Sequence, residues 1–187
     1  MSGMGKVTVI IVNGQPGAGK DTFIDFANQQ ITQVDKNIFV KSYSSIDIVR
    51  DNIEYFGVDI TLKTQKDRDL MSNIGDLLEE HSGIRSNLCH QKIASCVQIP
   101  RPSVLFLHIR EPKLIQKVID AYKDVVYVDF IRVQIKSDRA LNITSNHSDA
   151  NTDDMEYDFV VNNSGTKGQL YDQATDLLRY ARLFSGM

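Results

Sequence analysis

The sequence predicts an α/β protein, a five-stranded parallel sheet with helices on both faces in three layers. Two observations carry that expectation. Short runs of continuous apolar residues recur along the chain, as in strands buried on both faces. Segments with helical periodicity lie between them, and strands alternating with helices imply crossovers that cover both faces of one sheet. The 187 residues, 42% hydrophobic and 24% charged, suit one globular domain over 1–187.

The first strand is expected at Lys6 to Val12 (KVTVIIV), β-branched almost throughout. Asn13 to Gly19 reads as a turn. Lys20 to Ile31 reads as a helix burying Phe23, Ile24, Ala27 and Ile31. Ile38 to Ser42 is a second strand, and Ile46 to Phe56 a helix stopped by Gly57. A polar stretch, Asp59 to Lys66, leads into a helical region from Asp67 to about Val97, divided at Gly83. Val104 to Ile109 is the third strand, Pro112 to Tyr122 a helix, and Val125 to Ile135 a long fourth strand. Lys136 to Glu156 is polar and without periodicity. Phe159 to Val161 is the fifth strand and Leu170 to Phe184 the closing amphipathic helix.

Composition excludes some partners. A net charge of −3 gives no global field for a nucleic acid polymer or an anionic membrane. The longest apolar run, Val7 to Val12, is too short to cross a bilayer. The N-terminus lacks a signal-peptide plan, so the chain is expected in the cytoplasm. Its two cysteines, Cys89 and Cys96, fall about two turns apart on one helix, roughly 10 Å and too far for a disulfide. Both read as reduced, buried or half-buried residues. Nothing in the sequence sets the oligomeric state.

The chemistry concentrates in Gly14-Gln15-Pro16-Gly17-Ala18-Gly19-Lys20-Asp21-Thr22, which fits GxxxxGK between a buried strand and an apolar-faced helix. Glycines allow backbone angles that turn successive N–H groups inward onto phosphate oxygens. The helix that follows adds free N–H groups and the positive end of its dipole. Lys20 is placed to reach the β- and γ-phosphates of a nucleotide. Asp21 stands where a Ser or Thr commonly ligates Mg²⁺. A carboxylate there binds the ion directly or through water, and its alternative role is favourable charge at a helix start. Thr22 offers a hydroxyl to an α- or β-phosphate.

Gly19-Lys20-Asp21-Thr22 in this setting resembles the phosphate loop of phage and bacterial deoxynucleoside monophosphate kinases, which also ends GKD. Animal-type phosphomevalonate kinases share that ending. Three later segments are similar. His108-Ile109-Arg110-Glu111-Pro112 stands at the family's Asp-x-Arg, with His108 in place of the Asp. Lys136-Ser137-Asp138-Arg139 and Asn146-His147-Ser148-Asp149 resemble its basic and Ser/Thr-acid segments. Asp158 to Asn163 resembles its closing Asp-x-Val-Ile-x-Asn. The resemblance implies a three-layer P-loop kinase fold, ATP with Mg²⁺, and phosphoryl transfer to a small phosphorylated acceptor, a (deoxy)nucleoside monophosphate. It also implies an acceptor-binding helical insertion at about 45–98 and a short lid at about 136–156. The alternatives are a phosphomevalonate-type kinase and a regulatory nucleotide-binding domain without transfer.

Transfer between two anions needs further cations. Arg110, at the carboxyl edge of the third strand, is the expected acceptor-phosphate ligand, against a salt bridge to Glu111 or another surface acid. Arg139, with Lys136, opens the lid over the γ-phosphate. Arg50 and Arg68 in the helical insertion read first as solvated helix residues and second as acceptor ligands; Arg85 has less support. His108 reads as a satisfied strand-end histidine before a substrate contact. Arg132 is expected to point out of the sheet. Asn162 and Asn163 fall where such folds place an adenine-side loop.

Overall fold

The structure, a computed structural model, describes residues 5–138 and 155–184. In chain order the elements are β1 (Val7–Asn13), α1 (Lys20–Val34), β2 (Phe39–Ser44), α2 (Asp47–Tyr55), α3 (Gln65–Ser82) and α4 (Ile84–Val97). They continue with β3 (Ser103–His108), α5 (Pro112–Asp120), β4 (Val128–Lys136), β5 (Phe159–Asn162) and α6 (Lys167–Tyr180). The five strands form one sheet in the order β2-β3-β1-β4-β5, every neighbouring pair parallel.

β1 lies at the centre, and all seven of its residues are buried. Its alternation divides the core. Ile10 and Val12 pack with Phe23, Ala27 and Ile31 of α1 and Leu170, Ala174 and Leu177 of α6. Val7, Val9 and Ile11 face Cys89 and Ile93 of α4 and Leu114, Ile115 and Val118 of α5. A strand covered on both sides needs apolar residues at successive positions, which is why KVTVIIV lacks polar alternation. A third cluster, Val49, Ile53 and Ile60 with Ile46, Leu70, Met71 and Ile74, holds α2 against α3.

Local chemistry moves several expected boundaries. α3 starts at Gln65 because Thr64 and Asp67 form a reciprocal capping box. Gly83 ends that helix at φ 61, dividing the long helical stretch at the expected residue. β4 starts at Val128, not Val125: the Val125 N–H donates to Tyr122 O and the Val128 N–H to Val125 O, so these residues turn. α6 starts at Lys167, capped by Thr166 and Gln169. Cys89 and Cys96 are free and buried, and burial pushes the Cys89 thiol up to about 12. Among the described residues no helix is long and apolar enough to cross a membrane.

Candidate functional site

Neighbours β3 and β4 flank β1, and the chain leaves the carboxyl edges of β1 and β3 into functional loops, the place where open parallel sheets open a crevice. The glycine-rich loop leaves β1 there. Gly14 has φ 142, and a Cβ on it would run into Ile135 O of β4. Gly17 and Gly19 have φ 78 and 90, left-handed values that side chains resist. Gly19 is the N-cap of α1 and makes no side-chain cap hydrogen bond, so the first turn of the helix presents its N–H groups to whatever the loop holds. Lys20 Nζ donates to Gly14 O at 2.6 Å and Gln15 O at 2.9 Å, which holds the ammonium across the loop.

Two asparagines fix this loop. Buried Asn13 accepts the Gly14 N–H on Oδ1 at 2.7 Å; its Nδ2 donates to Arg110 O at 3.1 Å and the Tyr157 hydroxyl at 2.9 Å. Asn163 Nδ2 donates to Ala18 O at 2.9 Å, and a Cβ on Gly19 would occupy that amide nitrogen's place. Asn163, expected beside an adenine, here braces the glycine-rich loop.

The loop opens into one cleft of about 890 Å³ that continues under α2 and α3. Six cations line it, Lys20, Arg50, Lys63, Arg68, Arg85 and Arg110, against four acids, Asp21, Asp47, Glu54 and Glu111. The surplus of two positive charges stands out in a chain of net charge −3. Sequence reasoning ranked Arg85 low, yet it is the largest fully buried side chain, 2% exposed. Its Nη2 donates to Glu111 Oε2 at 2.7 Å and Ser45 Oγ at 3.2 Å, and its Nε to Ser45 O at 3.3 Å. Glu111 therefore pairs with Arg85. α3 comes this close only because Gly75 has no side chain: a Cβ there would lie 3.2 Å from Arg85 Nη1. Arg50 is not simply solvated; it lines the cleft and pairs with Asp47 at 3.0 Å. Arg68 also lines the cleft, its Nε donating to Lys63 O at 3.0 Å.

His108, at the end of β3, lies on the cleft wall. Its Nε2 is 3.2 Å from Ser42 Oγ, and its Nδ1 is 3.8 Å from Asp21 Oδ1. Burial holds this imidazole below its ordinary value, Asp21 pulls the other way, and Lys20 and Arg110 add to the lowering. On balance these surroundings favour the neutral ring. Asp21 is 93% exposed, so its carboxylate is available to a ligand in the cleft. Among the described residues no group of three or more His, Cys, Asp or Glu is arranged for a metal. A nucleotide-borne Mg²⁺ takes one or two protein oxygens and fills its shell with water and phosphate. The uncapped loop amides, Lys20 and the exposed Asp21 oxygen fit ATP with such an ion.

The other expected positions distribute as follows. Gln15, Ala18 and Thr22 belong to the loop and first helical turn, with Pro16, Gly17, Gly19, Lys20, Asp21 and Thr22 on the cleft. Arg132 does not point freely outward: it is half-buried and forms a two-pronged pair with Asp158 at 2.8 and 3.0 Å. Lys136 closes β4, and its carbonyl accepts the Asn163 N–H at 2.7 Å. Arg139 and most of the expected lid lie outside the described residues.

No protein-family model and no curated protein matches the sequence. Solved structures do match. The Mycobacterium tuberculosis APS kinase CysC in complex with AMPPNP and APS superposes with a TM-score of 0.53 at 12% identity, covering 96% of this chain and 99% of that one. APE1195 superposes with a TM-score of 0.52 at 15% identity, covering 96% and 98%. A Cys556Ala mutant of the same M. tuberculosis kinase gives 0.50 at 12% identity, covering 94% and 99%. Together with the observed strand order, these matches show that the chain has the α/β fold of the P-loop kinases.

Proposed function

We propose that the chain is an ATP-dependent phosphotransferase whose acceptor is a small phosphorylated molecule, a (deoxy)nucleoside monophosphate. The observation that supports it is one cleft lined both by the glycine-rich loop with Lys20 and by Arg50, Arg68, Arg85 and Arg110. The loop amides and Lys20 bind the donor phosphates and take up the charge that develops between β- and γ-groups. Lys20 is already held across the loop by two carbonyls, so little reorganisation precedes that role. Mg²⁺ bound with the nucleotide supplies charge neutralisation, and Asp21 is the residue proposed to hold it. Arg110 and Arg68 orient the acceptor phosphate, with Arg50 partly offset by Asp47. Arg85 acts indirectly, by fixing Glu111 and Ser45 beneath the acceptor. Lys136 and Arg139 belong to a segment proposed to cover the donor and exclude water. The helical insertion at about 45–98 is the acceptor-binding part of the single domain proposed for 1–187. An attacking phosphate oxygen is already ionised, so the reaction needs no strong general base.

The test is ADP release from ATP against a panel of nucleoside and deoxynucleoside monophosphates, with phosphomevalonate and APS as further arms. APS is included because the M. tuberculosis relative in fold was seen with it. Acceptor-dependent ADP is expected, and Lys20→Ala should lower turnover by about 100-fold or more with the melting temperature unchanged. ADP release independent of any acceptor, or full activity of the variant, overturns the reading.

A further inference from the structure

Asp21 follows the phosphate-loop lysine on the first turn of α1, and His108 ends β3 beside it. The two side chains meet on the cleft wall, Asp21 Oδ1 3.8 Å from His108 Nδ1. That separation exceeds a hydrogen bond, so neither atom satisfies the other. The far side of the ring is satisfied: Nε2 lies 3.2 Å from Ser42 Oγ. In the tautomer that donates Nε2–H to the serine, Nδ1 carries its lone pair on the side of the carboxylate. Metal-binding histidines are oriented this way, by a hydrogen bond from the nitrogen that does not ligate.

We propose that Asp21 and His108 Nδ1 together ligate the divalent cation carried by the nucleotide, and that this oxygen–nitrogen pair makes the site favour a first-row transition ion such as Mn²⁺ over Mg²⁺. The inference rests on the phosphotransferase reading. Two protein donors suffice, because phosphate oxygens and water complete the shell. Adjacent ligands on an octahedral ion with bonds of about 2.1 Å lie about 3 Å apart. Asp21 is 93% exposed and closes the remaining gap by turning its own side chain. Mg²⁺ is a hard ion that favours oxygen, and a first-row transition ion takes an imidazole nitrogen more readily, Mn²⁺ the least so of the series. A nitrogen in one of two protein positions therefore shifts the choice of metal while leaving the phosphate contacts alone.

The experiment is pulsed EPR on Mn²⁺ with inorganic tripolyphosphate, a probe that contains no nitrogen. The wild-type protein should show the ¹⁴N coupling of a directly bonded imidazole, converted to ¹⁵N coupling when its histidines are ¹⁵N-labelled. His108→Asp should retain Mn²⁺-tripolyphosphate, lose the nitrogen coupling, and let Mg²⁺ displace Mn²⁺ at least about 10-fold more readily. Ser42→Ala should keep the coupling and weaken Mn²⁺ by about 10-fold, since loss of an orienting partner costs about that much. Mn²⁺-tripolyphosphate bound to the wild type without nitrogen coupling removes His108 from the site but leaves the enzyme reading standing. No binding at all overturns both. Because the labelled wild type decides the matter, the inference stays falsifiable even if His108→Asp fails to fold.

Discussion

Replacing Arg85 by Met tests whether the cleft floor rests on one buried ion pair. The guanidinium is 2% exposed, and Glu111 opposite it keeps 17% of its side chain exposed. Arg85→Met removes the 2.7 Å contact to Glu111 and both bonds to Ser45, leaving a carboxylate and a carbonyl without their donor. Breaking a buried pair from one side costs about 3–5 kcal/mol. Glu111 retains some water, and Met fills most of the vacated volume, so the lower end, about 3 kcal/mol, is expected. For a chain of this length that is a fall in melting temperature of roughly 6–12 °C. Urea denaturation should show a lower midpoint at unchanged slope. Glu111→Gln in the Arg85→Met background should then return most of the loss, because the stranded charge is gone. A single variant within about 1 kcal/mol of wild type, or two substitutions that simply add, would refute the buried-pair account.

Gly19→Ala should weaken ATP at least about 10-fold by calorimetry, because φ 90 strains an alanine and its Cβ meets Asn163 Nδ2. Adding Asn163→Ala should restore only part, since the backbone strain remains. Arg110→Ala should raise the acceptor KM more than the ATP KM; an unaltered acceptor KM would remove Arg110 from the site. The Arg132 hydrogen bonds hold Asp158 below its ordinary carboxylate value, against burial. A depressed folded value stabilises above the unfolded carboxylate range and loses that stability as pH falls through the folded value. The stability gap between wild type and Arg132→Met should thus be level from about pH 5 to 8, at about 1 kcal/mol, and shrink below about pH 4. A gap that widens in acid would contradict the pairing.

What could be read from the sequence was what short-range chemistry determines. KVTVIIV announces a central strand because both its faces must be apolar, and the glycines of the loop announce their φ values by being glycines. Boundaries moved where a cap or turn outside the apolar pattern decided them, as at Thr64 and at Val125 to Val128. Arg85 was underrated because nothing near it in sequence marks it. In IRSNLCHQK it looks like a solvated helix residue; its burial depends on Ser45, 40 residues earlier, and Glu111, 26 later. The signal that existed was Gly75, a helix-interior glycine with no local reason to be there, which in space makes room for that guanidinium. His108 was visible as a strand end, but its two partners depend on where the sheet places β2 and α1.

The proposed donor and acceptor ends of the cleft share one chain of contacts, and that limits how independently they can change. Asn13 holds Gly14 on one side and Arg110 O on the other. Glu111, the next residue, holds Arg85; Arg85 holds Ser45; and the Ser45 N–H returns to His108 O at 3.0 Å. The end of β3 is thus tied to the phosphate loop through Asn13 and to the acceptor floor through Ser45. Arg85 is matched by Glu111 at 2.7 Å and by Asp76 at 3.6 Å, so it stiffens this frame without adding positive charge. The positive surplus comes from the residues around it, and among them Arg50 is met by Asp47. In the proposed reading, recognition of an anionic acceptor falls on Arg110 and Arg68, which line the same cleft. If the proposed reading holds, a change of acceptor would alter those cations while Arg85 and Glu111 stay in place.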